Sequence, residues 1–156
     1  MHPNVMRVME AARAAGFEID VERFPQGTRT AADAARAVGC EVAQIVKSIV
    51  FMAGDRPLLA LVSGANRVDP ERLAAAVGAA EVRRADGDEA RTATGYAIGG
   101  VPPIGHSRLL AIVMDRDLMA HPVVWAAAGL PDAVFAISPE ELLRASGGRV
   151  AELAQA

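Results

Sequence analysis

The chain has 156 residues, with 16 Lys and Arg against 19 Asp and Glu, a formal net charge of −3 and a pI near 5.6. Hydrophobic residues make up 52% but aromatic residues only 4%, so one domain spanning residues 1–156 is expected, built on a core of Ala, Val, Leu and Ile. The charge excludes the broad basic face that an extended duplex binder needs and leaves room only for a local nucleic-acid contact; the single cysteine, Cys40, excludes a disulfide scaffold or zinc ribbon and reads as a buried structural thiol.

Residues 1–4 do not form a basic segment leading into an apolar run, and no stretch approaches the roughly 20 apolar residues that span a bilayer. A soluble, cytoplasmic protein without a membrane partner is therefore expected. Val5, Met6, Val8, Met9 and Ala12 form one helical stripe over residues 3–15, and Gly16 follows where a left-handed cap belongs. Residues 18–24 alternate Ile19 and Val21 with charged side chains, a half-buried strand ended by Pro25 and Gly27. Thr30 to Asp33 resembles a capping box with Asp in place of Glu, opening a helix that Gly39 closes, and residues 42–46 suggest a further helical turn.

Residues 47–53 and 57–63 are apolar runs separated by Gly54-Asp55-Arg56, which predicts a hairpin of two central strands. Asp69-Pro70 starts a helix that Gly78 stops, and a short strand is expected at 82–85. After an acidic segment, residues 95–106 are too rich in Gly and Pro for a regular element. Three strands follow at 109–114, 123–127 and 133–137, with Asp115-Arg116-Asp117 a solvated strand exit. Ser138 to Glu141 is a capping box for the last helix, and an edge strand is expected at 149–154. Hairpins mixed with helical crossovers imply a mixed sheet, curled toward a barrel, with helices outside.

Of the 16 basic residues, 15 are Arg and one, Lys47, is Lys. Where guanidinium serves everywhere else, a single retained ammonium points to a position that requires an amine. Such a lysine at the start of an apolar strand can bind an anion, stabilise developing negative charge, or lose its proton and act as a nucleophile. Gly99 and Gly100 let the backbone approach a ligand, with peptide N–H groups aimed at an anion or carbonyl oxygen, and Pro102 and Pro103 stiffen that bend. Ser63 and Gly64 end a strand, where sheet proteins form pockets. His106 is a candidate acid, base or phosphate contact, but no Ser or Cys nucleophile sits in a recognisable elbow beside it. Tyr96 and Trp125 read as core or pocket walls. His2 and His121 have no ligand spacing, so neither a metal nor a cofactor is expected.

Three stretches together resemble the YbaK and prolyl-tRNA synthetase-associated editing domain family, the aminoacyl-tRNA deacylases. They are Thr30–Ala35 through Gln44–Ser48, Gly95–Gly105 with Gly99 and Pro103 at the Gly-x-x-x-Pro positions, and Val113–Asp115 onward through Trp125–Gly129 and Ser138–Leu142. The resemblance implies an α/β (α+β) fold with a mixed, barrel-like β-sheet and flanking helices. It implies a trans-acting hydrolase, without metal or cofactor, that cleaves the ester of mischarged tRNA carrying Ala, Cys, Ser or Thr. Water would be the nucleophile, Lys47 would hold the terminal nucleotide or substrate carbonyl, and backbone groups from Gly99 to Pro103 would position the amino acid and stabilise the oxyanion. The candidate catalytic set is Lys47, Gly99 and Gly100; the candidate substrate contacts are Thr30, Ser48, Ser63, Gly64, Val101, Pro102, Pro103 and His106. The expected partners are the aminoacyl-tRNA acceptor end and an aminoacyl-tRNA synthetase. Two other readings are a non-catalytic tRNA- or metabolite-binding module on the same fold and a Schiff-base enzyme using Lys47 as nucleophile.

Overall fold

Two apolar strands joined by a tight turn form the centre of the fold. The computed structural model describes residues 1–28 and 30–156. Strands β2 (Val46–Ala53) and β3 (Arg56–Ser63) pair antiparallel from Val46↔Ser63 to Ala53↔Arg56, so the connection is only Gly54-Asp55, one residue shorter than the spacing suggests. Gly54 has φ of 64°, the left-handed conformation that two-residue hairpin turns demand. Around this hairpin lie β5 (Ala111–Asp115) and β8 (Arg149–Ala151), both parallel additions beyond β3, and the short β4 (Arg83–Arg84) beside β2. The resulting five-stranded order is β4-β2-β3-β5-β8. A second, antiparallel sheet has the order β1-β7-β6, from Val21–Arg23, Ala133–Ile137 and Val124–Ala127.

Successive side chains of a strand point to opposite faces, and both faces of the larger sheet are covered. Val46 and Val50 of β2 and Leu59 and Leu61 of β3 pack with Phe135, Ile137 and Val8 in the main core. Phe51, Ala53, Leu58, Ala60 and Val62 pack on Leu73 and Leu153 on the opposite face. This two-sided burial explains why β2 and β3 read as unbroken apolar runs rather than alternating ones. The sheets meet through one parallel bridge, Ile45↔Trp125, and do not close into a barrel.

The helices are α1 (Pro3–Ala14), α2 (Ala31–Val38), α3 (Pro70–Val77), α4 (Gly87–Thr94) and α5 (Pro139–Ser146). Thr30, Asp69 and Ser138 accept hydrogen bonds from the first-turn N–H groups of α2, α3 and α5, as their sequence positions suggest. Helix α4 is absent from the sequence expectation, although Asp86 and Glu89 form its reciprocal capping box. The first strand is shorter than expected, and residues 42–44 form a 3₁₀ turn. Cys40 is partly rather than fully buried, its Sγ donating to the Glu41 carbonyl at 3.3 Å. Among the described residues no helix is long and apolar enough to cross a membrane.

Asp115 is the largest departure from expectation. It is 1% exposed rather than solvated, because its carboxylate accepts from three donors. These are Ser63 N–H at 3.1 Å, Asn66 Nδ2 at 2.9 Å and Asp117 N–H at 3.0 Å. The residues after it, Arg116–Ala120, turn into a 3₁₀ helix.

Gly64 follows β3 against the 3₁₀ turn, where a Cβ would stand 2.4 Å from the Val42 carbonyl oxygen and 2.9 Å from Ala31 Cβ. Gly64→Ala should therefore destabilise the fold by about 1–3 kcal/mol, the usual cost of overpacking, read as a lower urea midpoint. An unchanged midpoint would show that this joint yields freely.

Candidate active site

The sequence residue that asks for a function sits where two cavities meet. Lys47 is the second residue of β2, on the same face as Ile49 and Phe51, and is half-buried. Its Nζ donates to the Asn66 carbonyl at 2.6 Å, leaving two ammonium N–H groups for other partners. Asn66 is itself held by its side chain, which donates to Asp115 at 2.9 Å and to Asp117 at 2.8 Å. The buried carboxylate thus fixes the turn that fixes the lysine. Burial, and then the like charges of Arg84 and Arg67, lower the Lys47 pKa from its ordinary value, while Asp115 pulls it back up.

On one side of Lys47 lies a cavity of about 130 Å³. With a water taking about 30 Å³ of liquid, that is space for about four waters. Small side chains from α2, Ala31 and Ala34, form part of its wall, with Trp125, Ala126 and Ala127 from β6 beside them. Polar groups enter from Thr28, Thr30, Ser48 and Gly99. Ser48 Oγ is buried without a hydrogen-bond partner, an unusual condition for a hydroxyl that borders a cavity. The strand edge beside it is also open. Ile45 C=O accepts from Gly64 N–H, which by alternation turns the Ser48 peptide groups away from β3. Trp125 bridges Ile45 on this edge and Ala85 N–H reaches Val50 C=O, and Ser48 lies between these two closures.

On the other side of Lys47 is a larger groove of about 420 Å³, lined by Arg67, Arg83 and Arg84 over Ile49, Phe51 and Val82.

The loop at residues 95–106 meets the smaller cavity through Gly99 and Val101 only. Gly99 has φ of 96°, and a Cβ built on it would meet nothing within 4 Å, so it faces open space. Gly100 does not supply the second donor. Its N–H is engaged by the Ala97 carbonyl at 3.0 Å, and its lack of a Cβ lets it pack against Leu130 and Gly129, which such a Cβ would approach to 3.0–3.1 Å. Pro102 and Pro103 are buried outside the cavity lining. His106 also lies outside it, 2.6 Å through Nε2 from the Pro102 carbonyl and edge-on to Tyr96. Since a carbonyl only accepts, His106 donates there; burial lowers its pKa while the bond to Pro102 pulls it back up. Tyr96 hydroxyl completes the brace by donating to the Gly105 carbonyl at 2.6 Å.

Of the candidate residues, the structure gathers Thr30, Lys47, Ser48, Gly99 and Val101 around one cavity. Ser63 spends its N–H on Asp115 and its hydroxyl on the Ala43 carbonyl, and Gly64 N–H goes to Ile45, so both build the wall behind the site. Sequence reading missed Thr28, whose hydroxyl donates to the Pro131 carbonyl at 2.7 Å, and the two arginines, Arg67 and Arg84, beside Lys47. Nothing in the local sequence of Thr28 marks it. The Arg83-Arg84 pair was a visible signal that a net-charge argument averages away.

Comparison with known proteins gives a consistent picture. The family model described as the aminoacyl-tRNA editing domain matches residues 25–145. A crystal structure described as a candidate trans-editing enzyme for prolyl tRNA synthetase superposes with a TM-score of 0.93 at 46% identity, covering 100% of this chain and 99% of that one. A protein of Enterococcus faecalis, described as a proposed Cys-tRNA(Pro)/Cys-tRNA(Cys) deacylase, is 24% identical over 151 residues, 96% of this chain and 92% of its own. The proline–tRNA ligase of Xanthomonas oryzae pv. oryzae is 32% identical over 112 residues, 72% of this chain but 20% of the ligase.

Because the sequence has one lysine, its ¹³Cε resonance is unambiguous in an NMR titration. The midpoint should fall below the ordinary 10.5 and fall further in Asp115→Asn, which removes the charge that raises it. A lowered lysine pKa means that the unfolded chain holds more protons between the folded value and 10.5, so unfolding free energy should rise with pH across that window. A midpoint at or above 10.5 would show that burial and the two arginines do not govern the ammonium.

Proposed function

The chain belongs to the aminoacyl-tRNA editing domain family, and from that premise we propose that it is a trans-acting deacylase, one cytoplasmic domain that hydrolyses the ester of mischarged tRNA. The observation that carries this reading is the position of Lys47 between a small cavity and a cationic groove, with Gly99 and Val101 bordering the same cavity. A small side chain enters the cavity, which places the ester carbonyl beside the ammonium. Water adds to that carbonyl. The tetrahedral oxyanion is stabilised by the Lys47 charge and by the peptide N–H groups of Gly99 and Val101, neither of which has a backbone partner among the described residues. The C–O bond to the ribose then breaks; one proton of the water ends on the ribose oxygen, and the amino acid leaves as a carboxylate after releasing the other. His106, tied to the loop backbone, takes no part in this transfer.

The small volume of the cavity supports a small amino acid, Ala, Cys, Ser or Thr, as the one it takes. A synthetase pocket gains only about 1–3 kcal/mol from a methylene, so small misfits need such a second sieve. Ser48, whose hydroxyl has no hydrogen-bond partner, is a further polar side chain in the wall of this cavity.

A panel of tRNAs mischarged with alanine, cysteine, serine, threonine and larger amino acids tests the reading. Release is expected for one or more of the four small residues and not for the larger ones. Lys47→Ala should lower kcat/KM by about 10²-fold while remaining folded, as the loss of a single oxyanion donor does elsewhere. Lys47→Arg should not restore it, because a planar fork cannot take the place of a compact ammonium. Full activity in Lys47→Ala would dismiss the mechanism, and inertness toward every ester would favour a binding module.

A further inference from the structure

We propose that the groove beside Lys47 is a phosphodiester site in which Arg67 and Arg84 grip the RNA strand immediately 5′ of its terminal nucleoside, an assignment that rests on the deacylase reading of the neighbouring cavity. The protein is net negative at −3, yet this groove gathers Lys47, Arg67, Arg83 and Arg84, and no acidic side chain is among its lining residues. The charges are not equivalent. Arg83 is answered by Glu89 through two hydrogen bonds of 2.8 and 2.7 Å, holding that carboxyl down at about 2. Arg67 and Arg84 are exposed, and among the described residues neither has a carboxylate within 4.0 Å. Both also press on Lys47 by like-charge repulsion. Unanswered cations crowded over an apolar floor form a site for an anion with several acceptor oxygens, and guanidinium groups match a phosphate in bidentate fashion.

The connectivity of the substrate fits this layout. In an aminoacylated RNA end the ester oxygen and the 5′ phosphate of the same nucleoside are separated by one ribose. In the protein Lys47 is the residue common to the linings of the small cavity and the groove. An ester seated beside Gly99 therefore sends its phosphate toward Arg67 and Arg84. The apolar floor of Ile49, Phe51 and Val82 gives the sugar or the preceding base a surface to rest on.

Arg67→Gln, Arg84→Gln and the double variant distinguish this site from the catalytic one. Binding of a single-stranded oligoribonucleotide ending in CCA, without any amino acid, should weaken in each variant, and the slope of log Kd against log salt should become shallower by about 0.7 per arginine removed. At pH 7, kcat/KM on mischarged tRNA should fall by about tenfold in the double variant, while hydrolysis of the same amino acid esterified to adenosine, which has no phosphate, should be unchanged. Arg83→Gln should leave the salt slope as it is. Unaltered RNA binding in the double variant overturns the assignment, and so does an equal loss on the phosphate-free ester. A wild-type protein that binds the oligonucleotide through these arginines but cleaves neither ester would overturn the deacylase reading and keep the groove.

Discussion

A carboxylate buried among backbone donors is the joint on which the site depends. Asp115 ends β5 and receives the Ser63 N–H from the end of β3, the amide of Asn66 beyond it and its own chain's Asp117 N–H. A carboxylate that is 1% exposed is costly unless its lone pairs are filled, and here three donors fill them. The consequence is positional. Two parallel neighbours, β3 and β5, are locked at one end, and the turn that follows β3 is held so that its carbonyl at Asn66 meets the Lys47 ammonium. The same negative charge offsets part of what burial and the two arginines do to the lysine. One buried group thus fixes where the ammonium stands and places a favourable charge near it.

The loop opposite is stiffened by different means. Tyr96 and His106 each hydrogen-bond a carbonyl within the loop, at Gly105 and Pro102. Gly100 closes a turn on Ala97 while fitting against Gly129 and Leu130. These contacts brace the loop, and the residues of it that border the cavity are Gly99 and Val101. For the proposed chemistry, such bracing is what keeps a donor aimed before reaction.

Much of this was legible in the sequence because local chemistry carried it. Asp69, Pro70, Gly78 and Ser138 bound their helices through cap geometry that depends on residues a few positions apart. Strands β2 and β3 announced themselves as apolar runs because both sheet faces are buried. Lys47 stood out by being alone of its kind. Helix α4 was missed because its buried positions, Ala90, Ala93 and Thr94, are too small to draw a hydrophobic stripe. Asp115 was misread for a different reason. Its three donors come from β3, from the following turn and from Asp117, and two of the three are about 50 residues away in the chain, so no local pattern distinguishes it from a solvated aspartate. Gly100 and His106 shared a loop with Gly99, and only the coordinates separate the residue that faces the cavity from those that brace it.

Charge shows the same division between local and global information. A whole-chain charge of −3 argues against nucleic acid when it is averaged over the surface, yet binding is decided within a Debye length of about 8–10 Å. Arg67 follows β3 and Arg84 lies in β4, on opposite flanks of β2. The fold brings them to one groove and leaves them without acidic partners there, so the acidic residues elsewhere are largely screened from it. Under the proposed deacylase function, in which each RNA end is released after one cleavage, that economy is functional. In that proposal a small cluster of cations orients a single terminal nucleotide, whereas a broad basic face would hold correctly charged and uncharged RNA alike, and the small cavity would have little left to select between.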